Sequence, residues 1–546
     1  MFLKKRGAPK APTESPAPSF LVAPATSARD PVRVTLSDCL ACSGCITSAE
    51  TVLLEAQSAE EFKTRAREAA ASGGRRVVVV SVSPQSRASL AHAAGLDALD
   101  AARRLAGFFK NVAGAAYVFD TTASRDLSLL ESCEEFVERY RAASSSAPGA
   151  PPLPVLTSAC PGWVCYAEKT HGATVLRHVS AVKSPQQVMG SIVKRHVADA
   201  LGLAPDAVFH ATVMPCFDKK LEASREDFKT GEASTAEVDC VLTTGEVAEM
   251  IAEAAGASGG DPRAGAAALA SVPPAALDGW LASAGSGLSG NGSCSDVTSE
   301  DANASSGGAF DAEMADADPE VASGSGRRSE WLWGVDAPGG GGGSGGYLDT
   351  VFRHAARVLH GVEVTGPLEY KTPRARNPDL REVTLEVGGV TVLRFATAYG
   401  FRNIQNVVRR CKAGVGAGGY HFVEIMACPS GCLNGGGQLP PPPAVAPGTR
   451  LDPKAVPTSL GGMSAKQLVD ELEELYYGRG GVVVPRHPSR NPDVAALYRE
   501  WVGGGVGSAA ARALLHTAYH DRGAEAAAAA GGAAAAAAQL KVTSDW

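Results

Sequence analysis

At 546 residues the chain is long enough for two or three domains, and 45% hydrophobic content is that of a globular protein. A formal charge of -7 with 20% charged residues argues against nucleic-acid binding, which shows as a basic patch, and no run approaches the roughly 18–20 apolar residues of a membrane span. Twelve cysteines without a secretory apolar segment read as metal or redox groups in a reducing compartment rather than as a disulfide framework, so the expected location is the cytoplasm.

Residues 1–31 are rich in Pro, Ala and Ser and lack periodicity, which predicts a disordered tail. The basic, acid-poor start is also compatible with an organellar transit peptide, the lesser alternative. Residues 32–74 carry Cys39, Cys42 and Cys45 at two-residue gaps with Gly44 between the last two. Three thiols in a tight turn can face successive corners of an iron–sulfur cubane, but the further Cys-Pro of the bacterial ferredoxin run is missing. A fourth ligand must come from elsewhere; a zinc knuckle is the alternative.

From residue 75 to 251 the pattern is α/β. Val77–Val82 is a continuous β-branched run, as in a strand buried on both faces. Helices are predicted over Ser89–Phe109 and Leu129–Tyr140, and strands at Tyr117–Phe119, Val155-Leu156, Val208–Met214 and Val238–Leu242. Strands alternating with helices predict a parallel sheet, whose ligands gather beyond the carboxyl ends of its strands. Cys160 and Cys216 follow two such strands.

Residues 252–344, full of Gly and Ser with an acidic tract from Asp296 to Glu320, predict a disordered insertion. Residues 345–439 resume the pattern: a helix over Leu348–Leu359, a hairpin over Val383–Phe395 turning at Gly388-Gly389, a helix over Asn403–Lys412 and a buried strand at Tyr420–Met426. Directly after it come Cys428 and Cys432, then Gly435 to Gly437, glycines that let backbone approach something bulky. Residues 440–462 form a Pro-rich linker. Residues 463–522 hold helices over Ser464–Tyr477, Val494–Val502 and Ala509–Tyr519, and 523–546 is an Ala-rich tail ending in Asp545-Trp546.

Four thiols therefore stand at strand ends: Cys160 in Thr-Ser-Ala-Cys-Pro-Gly-Trp, Cys216 in Met-Pro-Cys-Phe-Asp-Lys-Lys, and Cys428 with Cys432. Four cysteines suit a [4Fe–4S] cluster. A zinc site usually pairs its ligands in close knuckles, which this spacing disfavours. His516 and His520 lie four apart without a third ligand and read as packing. Cys133, Cys165, Cys240 and Cys411 read as core residues.

These segments resemble the three signature motifs of the iron-only hydrogenases, over most of residues 33–520. The match is closer to the hydrogenase-like branch of eukaryotes, the nuclear prelamin A recognition factor-like family of cytosolic iron–sulfur assembly proteins. Asp120-Thr121-Thr122, Ser184-Pro185-Gln186-Gln187 and Trp163 to Lys169 support it. The resemblance implies a two-lobed α/β fold with parallel or mixed sheets, and a [4Fe–4S] cluster held by Cys160, Cys216, Cys428 and Cys432. It implies a second cluster on Cys39, Cys42 and Cys45; the family takes the fourth Cys of that site from upstream, and none precedes Cys39.

The hydrogenases carry a proton-relaying Cys just before the first-motif ligand, where this chain has Ala159. A methyl group moves no proton, so the expectation is an assembly factor and not an enzyme, although Met214, Lys219 and Met426 match positions around the hydrogenase di-iron centre. A redox enzyme, or a zinc or redox-sensing protein, is the alternative. The expected partners are the cytosolic iron–sulfur scaffold, the targeting complex and client apoproteins. A terminal aromatic after an acidic residue, here Asp545-Trp546, resembles the family's docking peptide, with Ser544 where an aliphatic residue is usual.

Overall fold

The structure, a computed structural model, describes residue 52 and residues 54–145, 148–231, 234–256, 262–279, 332–335, 343–373, 377–413, 419–442, 462–477 and 483–529. The 1–31 segment, Cys39, Cys42, Cys45, the acidic tract, most of the Pro-rich linker and Asp545-Trp546 lie outside the described residues.

The β-branched run forms strand β1, Val77–Val82, with alternate side chains feeding cores on opposite faces: Val78, Val80 and Val82 on one, Val79 on the other. With β2 (Tyr117–Asp120), β4 (Val208–Met214) and β5 (Cys240–Thr243) it makes a four-stranded sheet in the order β2-β1-β4-β5, parallel throughout. Both faces are buried, as a parallel sheet requires. The second sheet runs β3 (Val155–Thr157), β8 (Phe422–Met426), β7 (Val390–Tyr399), β6 (Leu380–Val387). Its first three strands are parallel, and β6 returns antiparallel through the expected Gly388-Gly389 turn. Parallel and mixed sheets flanked by helices are the fold the sequence predicts.

One long helix ties the sheets together. Helix α2, Thr122–Ser144, gives Ala123, Leu127 and Leu130 to the first-sheet core, and Leu129, Cys133 and Phe136 to the second. Phe136 meets Phe395 edge-on at 4.9 Å between ring centroids, and Phe395 stacks on Phe422 at 4.9 Å, geometries that add to simple area burial.

Several expected boundaries move. The predicted Ser89–Phe109 helix is two helices, α1 (Pro84–Ala94) and Ala98–Asn111. Gly95 takes a left-handed φ of 65° and Asp97 caps the second start, so the apolar spacing is shared across a break. Helix α2 begins well before Leu129 because its first turns are polar yet buried; Ser124, Arg125 and Asp126 are at most 3% exposed. The Ala509–Tyr519 helix stops at Leu515, where His516 bridges to Val182. Val155–Thr157, assigned to the first lobe by position, belongs to the second sheet. The expected insertion at 252–344 starts too early: residues 262–279 pack on the first-sheet core through Ala266 and Leu269, and Asp278 accepts the Val118 amide at 2.7 Å. The Ala-rich tail opens as a helix, Arg522–Ala529.

His210 lies in the middle of the first sheet, fully buried, between the Ser81 hydroxyl at 2.8 Å and the Glu237 carbonyl at 3.0 Å. Burial pushes its pKa down from 6.5 to about 3. The folded chain keeps this ring neutral while the unfolded chain takes up a proton below 6.5. Its contribution is therefore complete above pH 6.5 and lost as pH falls toward 3, at about 1.4 kcal/mol per pH unit. Urea unfolding between about pH 7 and pH 5 should show a shallower acid slope in His210→Gln than in the native chain; equal slopes would contradict a neutral buried ring.

Candidate metal centre

Strand β3 delivers Cys160. After Thr157 the chain turns, with the Ser158 hydroxyl donating to the Ile425 carbonyl and accepting the Cys160 amide at 3.0 Å. Cys160 then caps helix α3, Pro161–Thr170, whose first position is a proline that needs no amide partner. The Cys160 sulfur is buried and receives the Ala427 amide at 3.4 Å, so it abuts the strand end that leads to Cys428. Burial pushes its thiol up to about 12, and nearby Cys432 and Asp218 push the same way.

Strand β4 delivers Cys216. The next residues enter a short helix, α4, Asp218–Ala223. The buried Asp218 carboxylate is pushed up to about 6 by burial, against the pull of a hydrogen bond from the Cys216 thiol. Gly162 of helix α3 lets Asp218 in: a Cβ there would stand 2.6 Å from its carboxylate oxygen. Cys216 is thereby tied to the element that carries Cys160.

Strand β8 delivers Cys428 and Cys432. The turn between them holds Ser430 at φ 60° and Gly431 at φ 80°; the Ser430 amide donates to Asp379 at 2.8 Å, which fixes that left-handed residue. The Cys432 amide donates to Ser344 at 3.1 Å. Burial pushes the Cys432 thiol up, while Ser344 and Lys219 pull it down.

The glycines after Cys432 do approach something bulky, and it is protein backbone. A Cβ on Gly435 would lie 2.3 Å from the Pro215 carbonyl oxygen, and one on Gly437 would lie 3.0 Å from the Cys216 amide nitrogen. The Gly437 amide donates to that same Pro215 carbonyl at 2.9 Å. The loop from the second sheet thus lies flat on the turn that ends β4, and the cysteine-bearing ends of both sheets meet at one seam.

The described cysteines are thiols and form no disulfide. Among the described residues, no three His, Cys, Asp or Glu side chains converge closely enough for one metal ion. A lone zinc would need its donors at about 2.3 Å from a single point. Four thiols carried on three separate strand-end loops suit a cluster whose iron atoms sit at separate corners, and the Ala427 amide aimed at the Cys160 sulfur favours the thiolate such a cluster binds. The donor set fits a [4Fe–4S] group.

A small cavity of about 50 Å³ adjoins Cys432, walled by Ala159, Met214, Pro215, Lys219, Arg125 and Tyr476 among others. Lys219, read in sequence as aimed at the centre, is buried there and binds Glu222 at 2.8 Å and Ser184 at 3.1 Å. Sequence alone does not single out Arg125, Tyr476, Asp218 or Ser344; only the neighbouring Cys216 points near Asp218. His516 and His520 are structural, pairing with Glu131 at 2.8 Å and Asp227 at 2.7 Å. Cys133, Cys240 and Cys411 are buried core residues, as expected, whereas Cys165 is only half-buried.

Replacing Gly435 with Ala forces the loop off Pro215. Overpacking of this kind costs about 1–3 kcal/mol, and iron retained after anaerobic reconstitution should fall with it. Gly245→Ala is the control, because a Cβ there has nothing closer than 3.9 Å. Full iron retention in Gly435→Ala would mean that the loop can dock elsewhere.

Residues 76–436 match the family described as iron only hydrogenase large subunit, C-terminal domain, and residues 473–522 match iron hydrogenase small subunit. The chain is 46% identical over 490 residues to cytosolic iron-sulfur assembly component 3 of Bos taurus, covering 89% of this chain and 84% of that protein. It is 43% identical over 516 residues to Protein NAR1 of Arabidopsis thaliana, covering 93% and 90%. Its fold is similar to that of a variant of the apo [FeFe]-hydrogenase HydA1 from Chlamydomonas reinhardtii, with a TM-score of 0.61 at 23% identity, covering 85% of this chain and 99% of that one. The chain belongs to the iron-only hydrogenase-like family, in its branch of cytosolic iron–sulfur assembly components.

Proposed function

We propose that this protein is a cytosolic iron–sulfur assembly factor that holds a [4Fe–4S] cluster on Cys160, Cys216, Cys428 and Cys432 and links the cluster scaffold to the targeting complex that serves apoproteins. The observation that carries the reading is the docking of the Cys428–Gln438 loop on the Pro215–Cys216 turn, which brings the cysteines of both sheets to one seam. The relatives that span most of this chain are named for cytosolic iron–sulfur assembly. No described helix is long and apolar enough to cross a membrane.

The cluster supplies exchangeable iron and sulfide and a one-electron couple. The protein's own groups bind and shield it. Ala427 and Ser344 place hydrogen-bonding groups at the Cys160 and Cys432 sulfurs, and Lys219 offsets anionic charge at Cys432. Cys39, Cys42 and Cys45 hold a second, more exposed cluster in this reading, and Asp545-Trp546 docks the targeting complex.

The cavity beside Cys432 favours a hydrogenase reading as the second possibility, since it offers room next to the same sulfurs. Its wall at Ala159 carries no proton to deliver. Binding and delivery therefore suit the site better than turnover.

Anaerobically purified protein should contain iron and acid-labile sulfide in equal amounts. Cys160→Ser and Cys432→Ser should each lose the buried cluster's share, as read by chemical analysis and EPR. A zinc-only preparation would overturn the cluster. With a reduced viologen donor no hydrogen should form, and measurable evolution would restore the enzyme. Deleting Asp545-Trp546 should abolish recovery of the targeting complex in pull-downs while leaving the iron content unchanged; undiminished recovery would place docking elsewhere.

A further inference from the structure

The cavity at Cys432 has walls and donors that the cluster ligands do not use. Much of its surface is apolar, from Ala159, Met214, Pro215 and the prolines that open two neighbouring helices. Into it project two cations and a phenol. Lys219 spends two of its three donors, on Glu222 and Ser184. Arg125 spends Nε and Nη2 on Asp126, at 3.0 and 2.8 Å. The Tyr476 hydroxyl, on a residue only 3% exposed, lies against the Arg125 guanidinium, to which its oxygen can only accept, and no acceptor meets its own proton. A buried hydroxyl left this way marks a place where an acceptor belongs. Arg87 stands behind the same group, bonded to Asp120 through Nη1 and with its Nε unpartnered. Burial, reinforced by Arg125, pushes its pKa down to about 10.

We propose that this cavity binds a small, monovalent, weakly hydrated sulfur anion of the hydrosulfide type, with Tyr476, Arg125 and Lys219 as its donors. The class follows from the walls. A phosphate or sulfate brings several strongly hydrated oxygens, and of the wall's other polar side chains Ser83, Gln85 and Gln186 already donate to Ser86, Gly343 and Glu222, so leaving those oxygens without hydrogen bonds is costly. A single soft charge needs only the few donors present, and its polarisable surface suits the Met214 and Cys432 sulfurs beside it. The proposal adds to the cluster reading at the same seam, where Lys219 faces both the cavity and Cys432; iron and sulfide content read beside anion binding tells failure of one from failure of the other.

Thiocyanate is a suitable probe, being soft, monovalent and visible by its infrared C≡N stretch. Titrated into the anaerobic full-length protein, it should give a shifted, saturable band. Hydrosulfide should displace that band, and phosphate at equal concentration should not. Tyr476→Phe removes one donor to a charged group and should weaken binding about tenfold or more, with iron and sulfide content unchanged. Ala159→Val, which fills the cavity, should weaken it further. The proposal is overturned if no saturable band appears, if phosphate competes better than hydrosulfide, or if both variants bind thiocyanate as the native protein does.

Discussion

The whole arrangement depends on one backbone contact, the Gly437 amide on the Pro215 carbonyl with Gly435 pressed against the same oxygen. Each sheet ends its strands in a cysteine, but the sheets are separate hydrogen-bonded systems. Helix α2 and the Phe136–Phe395–Phe422 cluster join them at the level of packing. They do not fix where a loop of one meets a turn of the other. That alignment needs an approach closer than any side chain tolerates, which is why glycine stands at the contact. The segment that reads as a cradle for a cofactor is first a clasp between two halves of the protein.

Electrostatics at the seam runs against an empty thiolate site. Burial pushes Cys160 and Cys432 toward the protonated form, and Asp218 adds to it at Cys160. The Ala427 amide, Ser344 and Lys219 offset only part of this. Thiols in such surroundings release their protons to solvent when a metal binds the sulfur and not before, so metal affinity and proton release are coupled. The same burial would keep a cluster held on these sulfurs away from solvent.

What can be read in the sequence follows from how local each signal is. β-branched runs, strand-end cysteines and the Gly388-Gly389 turn are local, and they locate the strands, their order of appearance and the cysteine-bearing ends. Sheet membership is not local: Val155–Thr157 lies between elements of the first sheet in sequence, and it pairs with β8 only after the chain returns from far away. The start of helix α2 is hidden because Ser124, Arg125 and Asp126 look like surface residues and are buried through pairing. Tyr476 is hidden for a related reason. Its place depends on helix Ala465–Tyr477 packing over the cavity wall, which periodicity assigns to a buried face without saying against what.

Ala159 carries no group that can pass a proton, and the polar side chains around it are bound to one another. The polar groups nearest the cavity are closed on themselves: Glu222 accepts from both Lys219 and Gln186, and Gln186 in turn accepts from Thr212. A carboxylate held by both a lysine and an amide is fixed in place rather than free to swing toward a ligand. Around Cys432 the cavity is walled by alanine, methionine and proline side chains and its lysine is held by Glu222 and Ser184, a setting that supports the binding role proposed above.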